Sequence, residues 1–466
     1  MKIIVGPPGT GKTTRLLNIL EDELKRTDPS KVAFCSFTRK AVGEAVSRAM
    51  DRFSLSSSDV PYFRTLHSLG FSILGIKRTE VMQNKDYKRI GDHLGLKFST
   101  RYDSADSIPG GKNPGDRYMF IEGYSKARCI EPKEVWDTID HDNLNWFEFI
   151  RYRNTIRDYK NKYGKVDYSD MLSMCGDPLD IDVVIIDEAQ DLSTLQWQFV
   201  KEIFANAKRM YIAGDDDQAI FQWSGADVNH FVDLKGDREV LTQSHRVPRS
   251  VHAYAERITD QIRYRTPKRY KPMDRLGKVE YFTDPDHVDL SNGTWLLLSR
   301  NSFYINELAN VVKNKGHVFS IRGESVINKS HLRAIQLWEQ LRKGKELHED
   351  DKLIISPFIK GSKWDTSKIW HEAFTNMDHD DKEYYISLLR RGESLTKTPR
   401  INISTIHGVK GGEADHVLLL TDMAMATWEG QRINRDAEHR VWYVGATRCL
   451  ESLNIIMPRG RYHYDT

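Results

Sequence analysis

The chain has 466 residues, of which 39% are hydrophobic, 29% charged and 10% aromatic, and its formal net charge is +3. That make-up suits a soluble globular protein of several structural units and excludes a disordered or fibrous chain. Apolar runs such as Val183 to Ile186 are only strand-sized, which excludes a membrane span, and so small a net charge does not by itself imply nucleic acid.

The apolar run Ile3-Ile4-Val5 reads as a short strand, Lys2 to Val5, leading into Gly6-Pro7-Pro8-Gly9-Thr10-Gly11-Lys12-Thr13, a complete G-x-x-x-x-G-K-[ST] loop. From Thr13 to about Lys25 the spacing of Leu16, Leu17, Leu20 and Leu24 predicts a helix with one apolar face. Such a loop turns backbone N–H groups inward around a polyphosphate, lets Lys12 reach the β- and γ-phosphates, and offers the Thr13 hydroxyl to Mg²⁺. The positive end of the helix completes the anion site.

Val32 to Ser36 is the next strand. Residues 68–165 break the pattern with charged and aromatic residues at helical spacing, including the Pro- and Gly-containing loop Ser104 to Gly115. The strand Val183 to Asp187 then ends in adjacent carboxylates, Asp187 to hold Mg²⁺ beside Thr13 and Glu188 to accept a proton from an attacking water. Met210 to Ala213 follows, leading into Gly214-Asp215-Asp216-Asp217-Gln218, where Gln218 is placed to sense a γ-phosphate and nearby aromatics, Trp223 among them, to stack on a base.

The character changes near residue 240. Arg263 to Lys271 interleaves cations with tyrosines, a pattern that suits a phosphate backbone with stacked bases and equally a solvated linker. A second set of strands follows at Val279 to Phe282, Trp295 to Ser299, Val318 to Ile321, Ile401 to Thr405, Val417 to Leu420 and Leu453 to Met457, interrupted by residues 330–398. Strands alternating with helices predict an α/β protein with two doubly wound parallel sheets. The expected domains are 1–67 with 166–240, carrying the insertion 68–165, and 241–329 with 399–466, carrying the insertion 330–398. Cys35, Cys129, Cys175 and Cys449 lack C-x-x-C spacing and read as reduced thiols, not metal ligands. Asp378-His379-Asp380-Asp381 reads as a solvated acidic turn.

In this order the segments resemble superfamily 1 helicases of the UvrD/Rep type, over the whole chain. Phe37-Thr38-Arg39-Lys40-Ala41 and Thr65-Leu66-His67-Ser68 look like the family's first two single-strand contacts. Leu241-Thr242-Gln243-Ser244-His245-Arg246 resembles the segment that delivers one γ-phosphate arginine, and Leu298-Ser299-Arg300-Asn301 a further strand contact. Ile403 to Glu413 resembles the segment that touches DNA and nucleotide, and Val441 to Arg448 the last motif, whose arginine is the finger.

The resemblance implies two RecA-like motor domains, each with a small mainly helical insertion, and an ATP-dependent DNA helicase that moves 3′ to 5′ on single strands and unwinds duplex. ATP and Mg²⁺ are the implied cofactors. The implied catalytic residues are Lys12, Glu188, Gln218, Arg246 and Arg448. ATP binding falls to Gly6, Pro7, Pro8, Gly9, Thr10, Gly11, Lys12, Thr13, Thr14, Arg15, His245 and Glu413, and the metal to Thr13 and Asp187. DNA contacts fall to Phe37, Thr38, Thr65, His67, Trp223, Arg300, Thr405 and His407. With Arg246 and Arg448 expected on the second domain, ATP would draw the two domains together and hydrolysis would let them part.

The implied partners are single-stranded DNA, single-strand/duplex junctions, and single-strand-binding or other replication, repair and recombination proteins. The protein is expected to act as a monomer in the cytoplasm, of a bacterium or a virus-infected host. Two alternatives stand beside the helicase: a DNA-stimulated translocase that remodels protein–DNA or recombination intermediates with little unwinding, and a nucleotide-gated DNA-binding module. Glu188 beside Asp187, with two candidate arginine fingers, argues for hydrolysis and against the second.

The sequence departs from the family pattern in three places. The phosphate loop starts at residue 6, so the adenine-reading glutamine segment that relatives carry upstream is expected to be absent or rebuilt, and no leader or nuclease fusion is expected. His245 stands where relatives place an adenine-stacking tyrosine, with Arg15 near the cationic side of that sandwich, which predicts a weaker purine preference. Ser224 follows Trp223 where an arginine commonly braces the stacking ring, and both insertions are short.

Overall fold

Continuous apolar runs build strands buried on both faces, and here they build two sheets. The computed structural model describes residues 1–36, 39–99, 113–139, 144–361 and 364–465. The chain divides into two units, Met1–Lys278 with Ala424–Thr447, and Val279–Met423 with Arg448–Thr466.

The first unit carries β1 (Lys2–Val5), β2 (Val32–Ser36), β3 (Phe63–Arg64), β4 (Val183–Asp187), β5 (Arg209–Gly214) and β6 (Asp237–Val240), in the order β3-β2-β4-β5-β1-β6 with every pair parallel. Its side chains alternate with period two. Ile3, Val5, Val184 and Ile186 pack on one face with Trp197, Phe199 and Phe231. Ile4, Val183 and Ile185 pack on the other with Leu16, Leu17 and Leu20 of the helix Lys12–Leu24. The phosphate loop and the acidic pair therefore leave the carboxyl ends of β1 and β4, the edge at which open α/β sheets bind ligands.

The first insertion folds around its own core. Tyr118 and Ile121 of the helix Pro114–Arg128 meet Phe149, Tyr152 and Ile156 of Trp146–Tyr163, with Ile90 and Trp136 closing the cluster.

The second unit carries β7 (Lys278–Phe282), β8 (Trp295–Ser299), β9 (Phe319–Ile321), β10 (Glu324–Ser325), β11 (Ile401–Thr405), β12 (Ala414–Leu420) and β13 (Cys449–Ile456), in the order β10-β9-β11-β8-β12-β13-β7. From β9 through β13 the neighbours run parallel, and the short β10 turns back antiparallel on β9. The second insertion is not a separate body. Its Ala334, Leu337, Trp338, Phe374 and Leu388 share one core with Trp295, Leu297, Ile403 and Leu418 of the sheet.

The fold is thus α/β with one parallel and one mainly parallel sheet, in line with the doubly wound α/β fold that the sequence predicts. The division falls after Lys278 and not at 240, so Arg246 lies in the unit that holds the phosphate loop, while Arg448 lies in the other. No helix among the described residues is long and apolar enough to cross a membrane. All four cysteines are free, and burial pushes the Cys35 thiol up to about 12. Asp378 caps the helix His379–Arg390 by accepting from the Asp380 N–H, so the acidic turn is a helix start.

Candidate nucleotide and strand sites

The loop after β1 is held from both sides within the first unit. Gly6 N–H donates to the Gly214 carbonyl at 3.0 Å, and Thr10 Oγ1 donates to the Pro7 carbonyl at 2.8 Å. Gly9 and Gly11 have φ of +70° and +78°, a region that favours glycine. A Cβ on Gly9 would also lie 2.4 Å from Arg246 Cβ, because the 244–246 segment presses directly on the loop. There Ser244 Oγ donates to the Pro8 carbonyl at 2.8 Å, and His245 N–H donates to the Gly9 carbonyl at 2.9 Å.

Lys12 leaves the loop and pairs with Glu188 Oε1 at 2.9 Å, while Thr13 Oγ1 donates to Asp187 Oδ2 at 3.1 Å. Burial alone would lower the Lys12 ammonium; Glu188, Asp187 and Asp215 outweigh it and hold its pKa above the ordinary value. Asp187 is pushed up to about 6 by burial and by the neighbouring Glu188 charge, with Lys12 opposing. Glu188 itself sits at φ +55°, a conformation non-glycine residues seldom adopt, which turns its carboxylate back toward Lys12. No cluster of three or more His, Cys, Asp or Glu among the described residues is arranged for a metal ion. The Thr13 hydroxyl and Asp187 carboxylate are nevertheless a hard oxygen pair that fits Mg²⁺ when phosphate oxygens complete the shell.

Gln218 lies just past the carboxyl end of β5. Its Nε2 donates to Asp215 Oδ2 at 2.7 Å, so the amide is engaged with the acidic segment that precedes it. Within the run Arg263 to Lys271, the Lys268 side chain is neither a strand contact nor a solvated linker charge, since it is only 1% exposed and pairs with Asp215, Asp216 and Asp217 at 3.1, 2.7 and 2.8 Å. Arg265 grips both oxygens of Asp217, and Arg440 Nε donates to the Asp216 carbonyl at 2.7 Å. Three fully buried aspartates need that cationic shell, and the sequence signal for it was the acidic run itself at the end of an apolar strand. Lys268, Arg265 and Arg440 are site-supporting residues that sequence reasoning missed.

Of the remaining nucleotide candidates, Thr14 and His245 are exposed, and the Arg15 guanidinium is held by Glu239 at 3.0 and 3.1 Å. Pro7 and Pro8 are buried.

Two strand candidates of the first unit come together. His67 and Trp223 line one cavity of about 410 Å³ with Phe120, Tyr124 and Tyr168. His67 meets Tyr168 edge-on at 5.7 Å, burial lowers its pKa, and Thr65 caps its helix by accepting from the Ser68 N–H at 3.4 Å. The Trp223 indole N–H is buried and finds no acceptor among the described residues. Ser224 Oγ donates to the Phe221 carbonyl at 2.8 Å. Phe37 and Thr38 lie outside the described residues.

In the second unit, β8 and β11 run in register from Trp295↔Ile401 to Ser299↔Thr405, and Ile406 N–H donates to the Ser299 carbonyl at 3.0 Å. Arg300, Thr405 and His407 therefore gather at the carboxyl ends of two neighbouring strands. Glu413 is exposed, and Arg448 is 1% exposed with its guanidinium donating to the Gly412 carbonyl at 3.4 Å.

Residues 2–239 match the UvrD/REP helicase N-terminal domain, and residues 376–460 match the UvrD-like helicase C-terminal domain. Among curated proteins, the ATP-dependent DNA helicase Rep of Buchnera aphidicola is 26% identical over 62% of this chain and 45% of its own length. A probable DNA helicase II homolog of Mycoplasma capricolum is 23% identical over 60% of this chain and 41% of its own. The ATP-dependent DNA helicase PcrA of Bacillus subtilis is 23% identical over 60% and 40%. The matched part thus spans less than half the length of these relatives.

Proposed function

This chain belongs to the UvrD/Rep helicase family, and from that premise we propose that it is an ATP-dependent DNA helicase that translocates 3′ to 5′ along a single strand. The observation that carries the reading is the convergence of Lys12 on Glu188 and of Thr13 on Asp187 at the carboxyl edge of one sheet. A bare nucleotide switch has no need of a carboxylate held against the phosphate-loop lysine.

In this reading Lys12 exchanges its bond to Glu188 for the β- and γ-phosphates. Glu188, released, accepts the proton of the attacking water, a role worth about 10² to 10⁴ in rate. Thr13 and Asp187 would hold Mg²⁺, which when bound offsets phosphate charge. Arg246, packed on Gly9, adds positive charge beside the γ-phosphate, and Arg448 is the finger. His245 and Arg15 support the base, and Glu413 also contributes to binding ATP. The cavity holding His67 and Trp223 takes strand bases by stacking, and Arg300, Thr405 and His407 hold the strand on the second unit. The expected partners are single strands and junctions.

The test is ATP turnover by the full chain with and without a single-stranded oligonucleotide. Hydrolysis that rises several-fold with DNA supports the motor, and ATP binding with no turnover under either condition rejects it in favour of a switch.

A further inference from the structure

Gln190 has no role in the mechanism above, yet it is completely buried between the acidic pair and the segment that leads to Trp223. Its amide is used at both ends. Nε2 donates to Glu188 Oε2 at 2.5 Å, and Oε1 accepts the Asp215 N–H at 3.1 Å. The neighbouring Gly214 leaves room for this, since a Cβ there would lie 2.6 Å from Gln190 Oε1. From Asp215 the connection continues, because its carboxylate accepts from Gln218 Nε2 at 2.7 Å and pairs with Lys268. Glu188 stands in a left-handed backbone conformation just past the end of β4, and its carboxylate is bonded at both oxygens. The amide and Lys12 hold opposite oxygens of that carboxylate.

We infer that Gln190 is a positioning residue that aims the Glu188 carboxylate and ties it through Asp215 to the 215–223 segment, so that strand binding at Trp223 changes how well Glu188 is aimed. This inference rests on the motor reading above. The coupling runs through contiguous hydrogen bonds inside one unit, from Glu188 to Gln190 to Asp215 to Gln218, five residues before Trp223. An amide is the side chain this place needs: one end must donate to a carboxylate and the other must accept from a backbone N–H. A carboxylate would keep the acceptor and reverse the donor, and a thioether would supply neither as well.

The two ends are separated by two near-isosteric variants, assayed as full chains for ATP turnover with and without single-stranded DNA. Gln190→Glu is expected to lower basal kcat by about tenfold or more with KM for ATP within about threefold, while keeping the ratio of DNA-stimulated to basal turnover. Gln190→Met is expected to lower kcat and also to bring that ratio down toward one. If Gln190→Met fails to fold, the Gln190→Glu split still decides the aiming role. Basal kcat of Gln190→Glu within about twofold of wild type, or a rise in KM that matches the fall in kcat/KM, overturns the inference. Wild-type ratios in Gln190→Met overturn the tie to the strand segment. Absence of DNA-stimulated turnover in the wild-type chain would overturn the motor reading and this inference with it, whereas wild-type stimulation with unaffected variants overturns this inference alone.

Discussion

Replacing Lys268 by methionine removes the cation shared by three buried aspartates while keeping most of the side-chain volume. Lys268 Nζ lies 2.7 to 3.1 Å from Asp215, Asp216 and Asp217, all of them fully buried, and afterwards only Arg265 would hold a carboxylate of this run by an ion pair among the contacts described above. Breaking a buried ion pair from one side costs about 3–5 kcal/mol. At about 2–4 °C per kcal/mol for a large domain, the melting temperature should fall by about 6–20 °C.

The loss should depend on pH, with a definite sign. In the native chain burial would lower Lys268, but the three aspartates hold it above its ordinary value, so its contribution is intact below the ordinary lysine range and is lost only as pH rises through the raised value. Burial would raise Asp217, but Lys268 and Arg265 hold it below the carboxylate range, whereas Asp215 stays above that range because burial prevails. Without Lys268 both carboxyls move up, and a carboxyl raised in the folded state costs stability as pH climbs above its unfolded value. Thermal melts followed by circular dichroism should therefore show a larger deficit at about pH 8 than at about pH 5. A deficit under about 2 °C at the higher pH, or one no larger there than at the lower, would refute the reasoning.

Arg448→Ala should bind ATP with near-normal affinity and lose about 10³-fold or more in turnover, measured by a coupled ATPase assay; near-normal DNA-stimulated hydrolysis would remove it from the finger role. If His245 supports the base as proposed, turnover of ATP should exceed that of GTP, CTP and UTP by less than about tenfold, a barrier gap of about 1.4 kcal/mol, and a wider margin over all three would count against His245 as a relaxed support. Trp223→Ala should weaken oligonucleotide binding by about 5- to 150-fold, the worth of about 1–3 kcal/mol for one stacked base. Fluorescence anisotropy reads this directly, and affinity within about twofold of wild type would place the bases elsewhere.

Much of the fold is legible because each long strand is an apolar run with a turn or motif at its carboxyl end. Val183 to Asp187 is strand to the residue, and β1 and β2 likewise. The short strands β3, β6 and β10 escape the sequence because two to four residues such as Asp237-Arg238-Glu239-Val240 are too few and too polar to form an apolar run; β6 is a strand because it pairs with β1. The loop and acidic pair are legible because phosphate chemistry dictates their spacing. What pairs across long stretches of chain is not. Lys268 reads as a strand contact or a linker charge until the three aspartates some fifty residues earlier are seen to be buried around it. The second insertion looks like a separate body in sequence, since nothing in its helical spacing reveals that Trp338 and Phe374 complete the core of the neighbouring sheet.

The central claim is most directly tested by unwinding of two matched duplexes, one with a 3′ and one with a 5′ single-stranded tail, by the wild-type chain with ATP and Mg²⁺. The account predicts ATP-dependent strand separation of the 3′-tailed duplex well above the 5′-tailed one. Unwinding confined to the 5′-tailed duplex, or of neither, would contradict it.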